Sequence, residues 1–465
     1  MNKLLFAAPS SGSGKTTVTM AVLAALKRRG HKVRAFKCGP DYIDPMFHEK
    51  ALGIPCHNLD LYLTPELRVK ELFCRYSAGA ETLVVEGVMG FYDGVGGVTA
   101  EASAWHVAEV LDLPTVLVVR PKGEASEVVA LVQSLLTVPE RAPENDGDHH
   151  LKALLFSDCS EREFASLKPL LEEATGLPVL GYLPHLEEAA LQSRHLGLVT
   201  AAEDPALQRK LDLLASAAEK SIDLDALLAL RETPEPPASA NDPGEQEAGP
   251  APVRIAVARD EAFQFCYDET LDAFREAGGE PVFFSPLEDL HLPEDIGGLY
   301  LPGGYPELHA KALSANTSLK EEVKVTMDRG LPTIAECGGF LYLGTSLKTP
   351  EGEPFPMVGV FSGEAEKTGK PVRFGYAELT ADRDCLLAEK GVPVRIHNFH
   401  YYDTTERGGV FHAVKPVSGR EFETGFASET FYAGFPHFYF AGNPELTKRF
   451  LSAAKRYLQG TNGHD

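Results

Sequence analysis

Residues 3–17 read KLLFAAPSSGSGKTT, and this stretch decides the fold. A short apolar run is followed by a loop of small residues and then by a helical pattern over Thr16–Arg29. Such a loop lets consecutive backbone N–H groups curl around phosphate oxygens. A lysine reaches the terminal phosphates, and a Ser or Thr hydroxyl serves Mg²⁺. Gly12, Ser13, Gly14, Lys15, Thr16 and Thr17 meet those needs. Pro9 departs from the usual pattern by standing where its first glycine is expected. The strand–loop–helix order nevertheless favours a phosphate loop over a plain Gly/Ser turn followed by a lysine.

The same alternation continues along the chain. KVRAF, TLVVEG, PTVLVV and LKALLF each precede a polar-faced segment. VRIAVA then precedes Asp268–Ala277, with PVFF, GGLYLPGG and PTIAE beyond it. Short strands alternating with helices predict βαβ units and parallel sheets. Between the two series lies RETPEPPASANDPGEQEAGPAP (231–252), rich in Pro and acids and without periodicity, which reads as a linker. The expected organisation is an α/β domain over 1–230, a linker over 231–252 and a second α/β domain over 253–465. The polar stretch Pro139–His150 is expected to be a surface loop of the first domain.

Composition narrows the function. The 465 residues carry 44 Lys+Arg against 67 Asp+Glu, a formal charge of −23. That balance argues against a general affinity for nucleic acid or anionic membrane, but leaves room for an anionic small molecule held by local positive charge. Cys38, Cys56, Cys74, Cys159, Cys266, Cys337 and Cys385 form no C-x-x-C pair, which suits a reduced, cytoplasmic protein. No apolar run approaches the ~20 residues that span a bilayer. The apolar start, Leu4–Ala8, is also shorter than the ~7–15 residues of a signal-peptide core.

Two further segments belong beside the phosphate loop. Lys37–Pro45, KCGPDYIDP, follows the second strand. Leu83–Gly87, LVVEG, ends a buried strand with a carboxylate. Ligands of doubly wound sheets bind outside the carboxyl ends of the strands. Thr16, Asp41 and Glu86 are therefore the expected Mg²⁺ residues. Turn and cap chemistry accounts equally for Asp41 and Asp44, and a structural role remains open for Glu86.

In the second half, PTIAECGG (332–339) reads as a strand, a tight turn on Cys337 and a helix beginning near Phe340. Small residues two positions either side, Ala335 and Gly339, permit an elbow that projects a nucleophile. A helix behind it would lower the thiol pKa. LPGGY (301–305) lies one βα unit upstream. Gly303, Gly304 and Gly338 are candidates to offer backbone N–H groups to an oxyanion. His437 is the candidate base. The alternative for Cys337 is a small buried core residue.

Longer strings carry a resemblance. They are APSSGSGKTT (8–17), KCGPDYIDPMFH (37–48), NLD (58–60), VVEGVMGFYDG (84–94) and SRHLGL (193–198). The second half adds LPGGYPELHA (301–310), NTS (316–318), AECGGFLYLG (335–344), FGYAEL (374–379) and GFPHFYFAGNP (434–444). In this order they resemble the cobyrinic acid a,c-diamide synthase family of cobalamin biosynthesis, over nearly the whole chain outside the linker and the 139–150 loop. The resemblance implies a P-loop, dethiobiotin-synthetase-like parallel-sheet domain followed by a class I glutamine amidotransferase α/β domain. It also implies amidation of the a and c carboxylates of a corrin-type tetrapyrrole. ATP would be a substrate, Mg²⁺ the cofactor and glutamine the nitrogen donor.

By the same resemblance Cys337 is the nucleophile and His437 raises its reactivity, while Tyr42, Asp44 and Asp93 make contacts around the reacting carboxylate. The wider superfamily places a Glu two residues after the histidine. Tyr439 stands there instead, so a Cys–His dyad is expected, with no third carboxylate of comparable weight. At RIHNFHY (395–401) the family more often has Gly and Glu in place of Ile396 and Asn398. A nickel-sirohydrochlorin a,c-diamide synthase shares these motifs and is the nearest alternative. Cobyric acid synthases fit less well, because their substrate loops lack GPDYIDP. A partitioning-type regulatory ATPase is remote: Ser10 and Ser11 occupy the place of its signature lysine, and Cys337 would be superfluous.

Overall fold

A computed structural model of the chain describes residues 1–137, 150–189, 193–194, 197–198, 207–230 and 251–461. Residues 139–149 of the expected surface loop and 231–250 of the expected linker lie outside the described residues, as do 195–196 of SRHLGL. The chain divides into two compact units, Met1–Gly244 and Glu245–Asp465.

The first unit opens with β1 (Asn2–Ala7), α1 (Lys15–Arg28), β2 (Val33–Cys38), α2 (Ile43–Leu52), β3 (Cys56–Leu59) and α3 (Glu66–Tyr76). It continues with β4 (Thr82–Glu86), α4 (Ala104–Leu111), β5 (Thr115–Val119), α5 (Ala125–Leu136), β6 (Leu151–Ser157), α6 (Glu161–Thr175) and β7 (Val179–Leu183). A two-stranded ribbon, β8 (Ser193–Arg194) and β9 (Gly197–Leu198), precedes α7 (Leu207–Ser221) and α8 (Leu224–Leu228). The seven main strands form one parallel sheet in the order β3-β2-β4-β1-β5-β6-β7. Central strands read as continuous apolar runs because helices cover both faces, so β4 and β5 are buried at every position. Helix α1 lies on the strands with Val18, Ala21, Val22 and Ala25 fully buried, and α7 adds Leu211, Leu214, Ala215 and Ala218 to the same core at helical spacing.

The second unit begins with β10 (Val253–Ala258), α9 (Asp268–Glu276), β11 (Gly279–Phe284) and β12 (Ile296–Leu301). Next come α10 (Ala310–Ala315), α11 (Thr317–Asp328), β13 (Thr333–Glu336) and α12 (Gly338–Tyr342). A second sheet follows: β14 (Ser346–Lys348), β15 (Pro354–Pro356), β16 (Glu364–Ala381), β17 (Pro393–Thr404), β18 (Phe411–Val414) and β19 (Glu421–Thr424). The chain then returns through β20 (Phe426–Ala427) and β21 (Phe431–Gly434) and ends on α13 (Pro444–Thr461). The first sheet runs β11-β10-β12-β13-β21-β20, parallel except for β20 against β21. Strand alternation with helices does not foretell the second, mixed sheet, which is dominated by the long antiparallel pair β16 and β17. Its inward row on β17 includes Asn398, His400 and Tyr402, polar groups that obscure the alternation of apolar and polar residues.

Leu23 is fully buried in the first-unit core, at the middle of α1. Leu23→Ala should remove about 2–5 kcal/mol from that unit. Denaturant unfolding should show its transition at lower denaturant while that of the second unit stays in place.

Candidate functional site

In the first unit the chemistry collects at the carboxyl ends of β1, β2, β4 and β6. Gly12 and Gly14 both sit at φ +80°, a conformation glycine adopts without steric cost. A Cβ on Gly14 would also stand 2.8 Å from Ser157 Cβ and Oγ, so the loop is pressed against the end of β6. Ser157 Oγ donates to Ser13 O at 2.5 Å, and Ser13 Oγ donates to Ser10 O at 2.9 Å. Gly14 offers no side-chain cap to α1, which leaves the first-turn N–H groups of Lys15, Thr16 and Thr17 facing the loop. A Cβ on Gly90 would lie 2.7 Å from Pro9 O, so the segment after β4 packs directly on the loop. Asp93 Oδ2 accepts the Gly90 N–H at 3.0 Å and fixes that segment. Lys15 Nζ donates to Met89 O at 3.1 Å in the same place.

Glu86 has no solvent exposure, and three side chains meet it. Thr16 Oγ1 donates to its Oε1 at 2.6 Å, Lys37 Nζ lies 2.9 Å from Oε1, and His48 Nε2 lies 3.3 Å from Oε2. The register explains the lysine. Lys37 and Glu86 are directly paired positions of adjacent parallel strands, so their side chains leave the same face together. Burial alone would raise the Glu86 carboxyl, but Lys37 and His48 outweigh it and hold the group well below the usual range. Lys37 also pairs with Asp44 and stands 3.7 Å from Asp41. These carboxylates outweigh the desolvation of Lys37 and keep it cationic. Removing one partner from such a buried group costs about 3–5 kcal/mol.

The predicted residues therefore divide. Thr16 and Glu86 touch, and Asp41 reaches the same lysine while its Oδ1 accepts the N–H groups of Ile43 and Asp44. Asp41 thus does turn chemistry with one oxygen and faces the site with the other. Asp44 is buried against Lys37; burial, and secondly Asp41, raise its carboxyl while the paired Lys37 pulls it back down. Tyr42 is half-buried at the start of α2. Sequence reasoning did not single out Lys37 or His48. A lysine inside an apolar strand and a histidine four residues after Asp44, on one helical face, were the available signals.

Oxygen donors alone are what Mg²⁺ prefers, with few protein ligands and several waters or phosphates. Among the described residues no group of three or more His, Cys, Asp or Glu side chains forms a metal cage. The Thr16 hydroxyl and the Glu86 carboxylate are oxygen donors of the kind Mg²⁺ takes, and Asp41 Oδ2 lies 3.7 Å from the lysine that meets Glu86.

The second unit carries a different site. Cys337 follows β13 with φ +47° and ψ −101°, an uncommon backbone for a residue with a Cβ. Its N–H donates to Gly434 O at 2.8 Å, and its carbonyl accepts from Leu341 N at 3.0 Å, which together hold the bend. Glycines make the elbow possible: a Cβ on Gly339 would lie 2.1 Å from Leu301 O, and one on Gly304 would lie 2.0 Å from Ala262 O. A Cβ on Gly338 would stand 3.0 Å from Gly304 N, so both loops converge beside the thiol. Gly303 abuts the His437 ring, its own Cβ position being 2.8 Å from Cε1.

Helix α12 is only five residues long, so the dipole behind Cys337 is small. The main positive charge is His437, which is buried and hydrogen-bonded to Cys337. Burial opposes its protonation, but Cys337 and Glu336 override that and push the ring up to about 10. Glu336 differs from the expected arrangement. A carboxylate does face the histidine, supplied by the residue before the nucleophile rather than from position 439. The Tyr439 ring packs edge-on against Tyr267 instead, with centroids 5.1 Å apart. None of the seven cysteines is in a disulfide, and burial pushes the Cys38 and Cys159 thiols up to about 12, which leaves them inert.

Residues 4–199 match the CobQ/CobB/MinD/ParA nucleotide binding domain, and residues 254–445 match the CobB/CobQ-like glutamine amidotransferase domain. The cobyrinate a,c-diamide synthase of Listeria innocua serovar 6a is 37% identical, over 98% of this chain and 100% of its own. That of Caldanaerobacter subterraneus subsp. tengcongensis is 36% identical over 97% of this chain and 98% of its own, and that of Dehalococcoides mccartyi is 35% identical over 98% of each. The chain belongs to the cobyrinate a,c-diamide synthase family. It is a ligase with a nucleotide-binding unit and a glutamine amidotransferase unit, and the two sites described fall one in each. No helix among the described residues is long and apolar enough to cross a membrane.

Nucleotide binding should depend on pH through Lys15. Burial, and secondly Lys37, lower its ammonium to about 8. Bound polyphosphate would restore the missing counter-charge, so the protonated form is the one that binds. MgATP affinity should therefore be level below pH 8 and fall, by up to about tenfold per pH unit, above it. Titration calorimetry between neutral and mildly alkaline pH checks this; a flat profile would remove Lys15 from the phosphate contact.

Proposed function

We propose that the chain amidates the a and c carboxylates of cobyrinate, using ATP to activate each carboxylate and glutamine as the nitrogen source. The observation that carries this reading is the pairing, on one chain, of a phosphate loop facing a buried Lys–carboxylate cluster with a strained Cys337–His437 elbow. Near-full-length likeness to chains named cobyrinate a,c-diamide synthase supports the choice of substrate.

The chemistry follows from what each group can do. A carboxylate does not condense with ammonia unaided, because its oxygen is a poor leaving group. Its oxygen attacks the γ-phosphorus, ADP departs, and the resulting acyl phosphate carries phosphate as a competent leaving group. Lys15 and the N–H groups opening α1 offset charge developing on the transferred phosphoryl. Mg²⁺, held by Thr16 and Glu86 with Asp41 nearby, would neutralise phosphate charge when bound. Lys37 keeps Glu86 ionised for that task. Tyr42, at the start of α2, and Asp93, whose Oδ2 accepts the Gly90 N–H, are assigned to positioning the reacting carboxylate, and Asp44 to holding Lys37.

In the second unit the Cys337 thiolate attacks the glutamine amide carbon. The N–H groups of Gly304 and Gly338, with Gly303 shaping the loop, are assigned to the oxyanion. His437, protonated at rest, gives its proton to the departing ammonia. Water then opens the thioester, with His437 taking the proton back and glutamate leaving. Ammonia attacks the acyl phosphate, and phosphate is released with the amide.

Two variants separate the half-reactions. Cys337→Ala should lose glutamine-dependent amidation to background yet regain product with excess ammonium at mildly alkaline pH, read by mass spectrometry of the tetrapyrrole as two carboxylate-to-amide conversions. Undiminished glutamine-dependent turnover would falsify the glutaminase assignment. Lys15→Ala should abolish amidation with either nitrogen source, by roughly 10³-fold or more, while glutamine hydrolysis at Cys337 persists. Normal amidation by this variant would sink the assignment of the loop.

A further inference from the structure

Glu336 is completely buried, and both of its oxygens are used as acceptors. Oε1 accepts the N–H of Phe438, the residue after His437, at 2.9 Å. Oε2 accepts the Tyr300 hydroxyl at 2.9 Å and lies 3.8 Å from His437 Nδ1. Strand register produces this meeting. Tyr300 pairs with Ile334, two residues before Glu336, so both side chains share one face of the sheet. Burial and the facing carboxylate raise the Tyr300 phenol well above its ordinary value, which keeps it a donor. The carboxylate thus holds the histidine's segment through the backbone and faces its ring at the same time.

Other titratable groups near the ring do not substitute for it. His397 is paired to His437 through the backbone, N to O at 3.2 and 2.9 Å. Burial, then the charge of His437, pushes His397 down to about 3, and Lys415 acts in the same direction. His400 stacks on Phe435 at 3.8 Å, and burial takes it down to about 4. Both rings are neutral near neutral pH. Cys337 and Glu336 are the groups that favour the imidazolium.

Building on the glutaminase reading above, we infer that Glu336 is the positioning carboxylate of the site, orienting His437 and stabilising its charged form in place of the acid that Tyr439 does not provide. A 3.8 Å separation is an ion contact rather than a hydrogen bond, and catalytic pairs are commonly long before substrate binds. The role is the one an acid plays behind a catalytic histidine, where it sets tautomer and orientation without itself changing protonation.

The test uses the full-length chain and glutamine hydrolysis. Glu336→Gln keeps an acceptor for Phe438 N–H but removes the charge. It should lower kcat near neutral pH roughly 10- to 100-fold. It should also move the alkaline limb of the profile down by at least about one pH unit, with an unchanged circular dichroism spectrum. A merely structural glutamate would change kcat and leave the limb in place, and that result overturns the proposal. A second measurement leaves Glu336 untouched. In Cys337→Ala the carboxylate is the remaining counter-charge, so the His437 ring, followed by NMR, should still titrate above the ordinary ~6.5. Titration at or below that value overturns the proposal, because burial alone lowers the ring. Persistent glutamine hydrolysis in Cys337→Ala would instead remove the glutaminase reading itself, and this inference with it.

Discussion

A carboxylate at the buried end of a central strand must be met by donors, and both units are arranged around one. Neither Glu86 nor Glu336 is exposed to solvent, so each charge needs the partners the fold brings to it. In the first unit the partners are a hydroxyl, an ammonium and an imidazole, drawn from α1, β2 and α2. In the second they are a phenol, a backbone N–H and an imidazole, drawn from β12 and the segment after β21. Parallel sheets make this economical, because successive strands end at one edge and their last side chains point together. The ligand-facing residues are therefore also part of what keeps the sheet edge electrostatically tolerable.

Much of this was legible in the sequence where chemistry depends on neighbours along the chain. The phosphate loop, the strand-end carboxylate of LVVEG and the small residues flanking Cys337 are local signals, and the structure places them on strand–turn–helix junctions. What stayed hidden depends on register. Lys37 belongs to the first site because β2 and β4 pair at Val33 with Thr82; a shift by one residue would carry it to the other face. Glu336 carries the same signal as Glu86, a charge closing an apolar strand, beside the more conspicuous cysteine. Spacing along the chain offers only Tyr439 at the place of the superfamily's acid, so the sequence points to a Cys–His dyad and ranks residues by distance along the chain. The fold ranked them by distance in space.

The mixed sheet of the second unit was illegible for a different reason. Alternation on β17 is regular in burial, but its inward row runs Val394, Ile396, Asn398, His400, Tyr402. Hydropathy patterns register the side chain's chemistry rather than its surroundings, so a buried row that changes from aliphatic to polar loses its signature halfway along. The aromatic neighbours Phe399 and Tyr401 on the opposite row add to the confusion, being apolar yet only half-buried.

The backbone at Cys337 has one more consequence. Its positive φ belongs to a region that glycine enters freely and that other residues enter at a cost of about 1–3 kcal/mol. On backbone strain alone glycine is preferred at this position, yet glycine would remove both the nucleophile and the thiol's packing in the core. The side chain is kept there against the backbone's own preference. The strain and the nucleophile therefore sit on one residue.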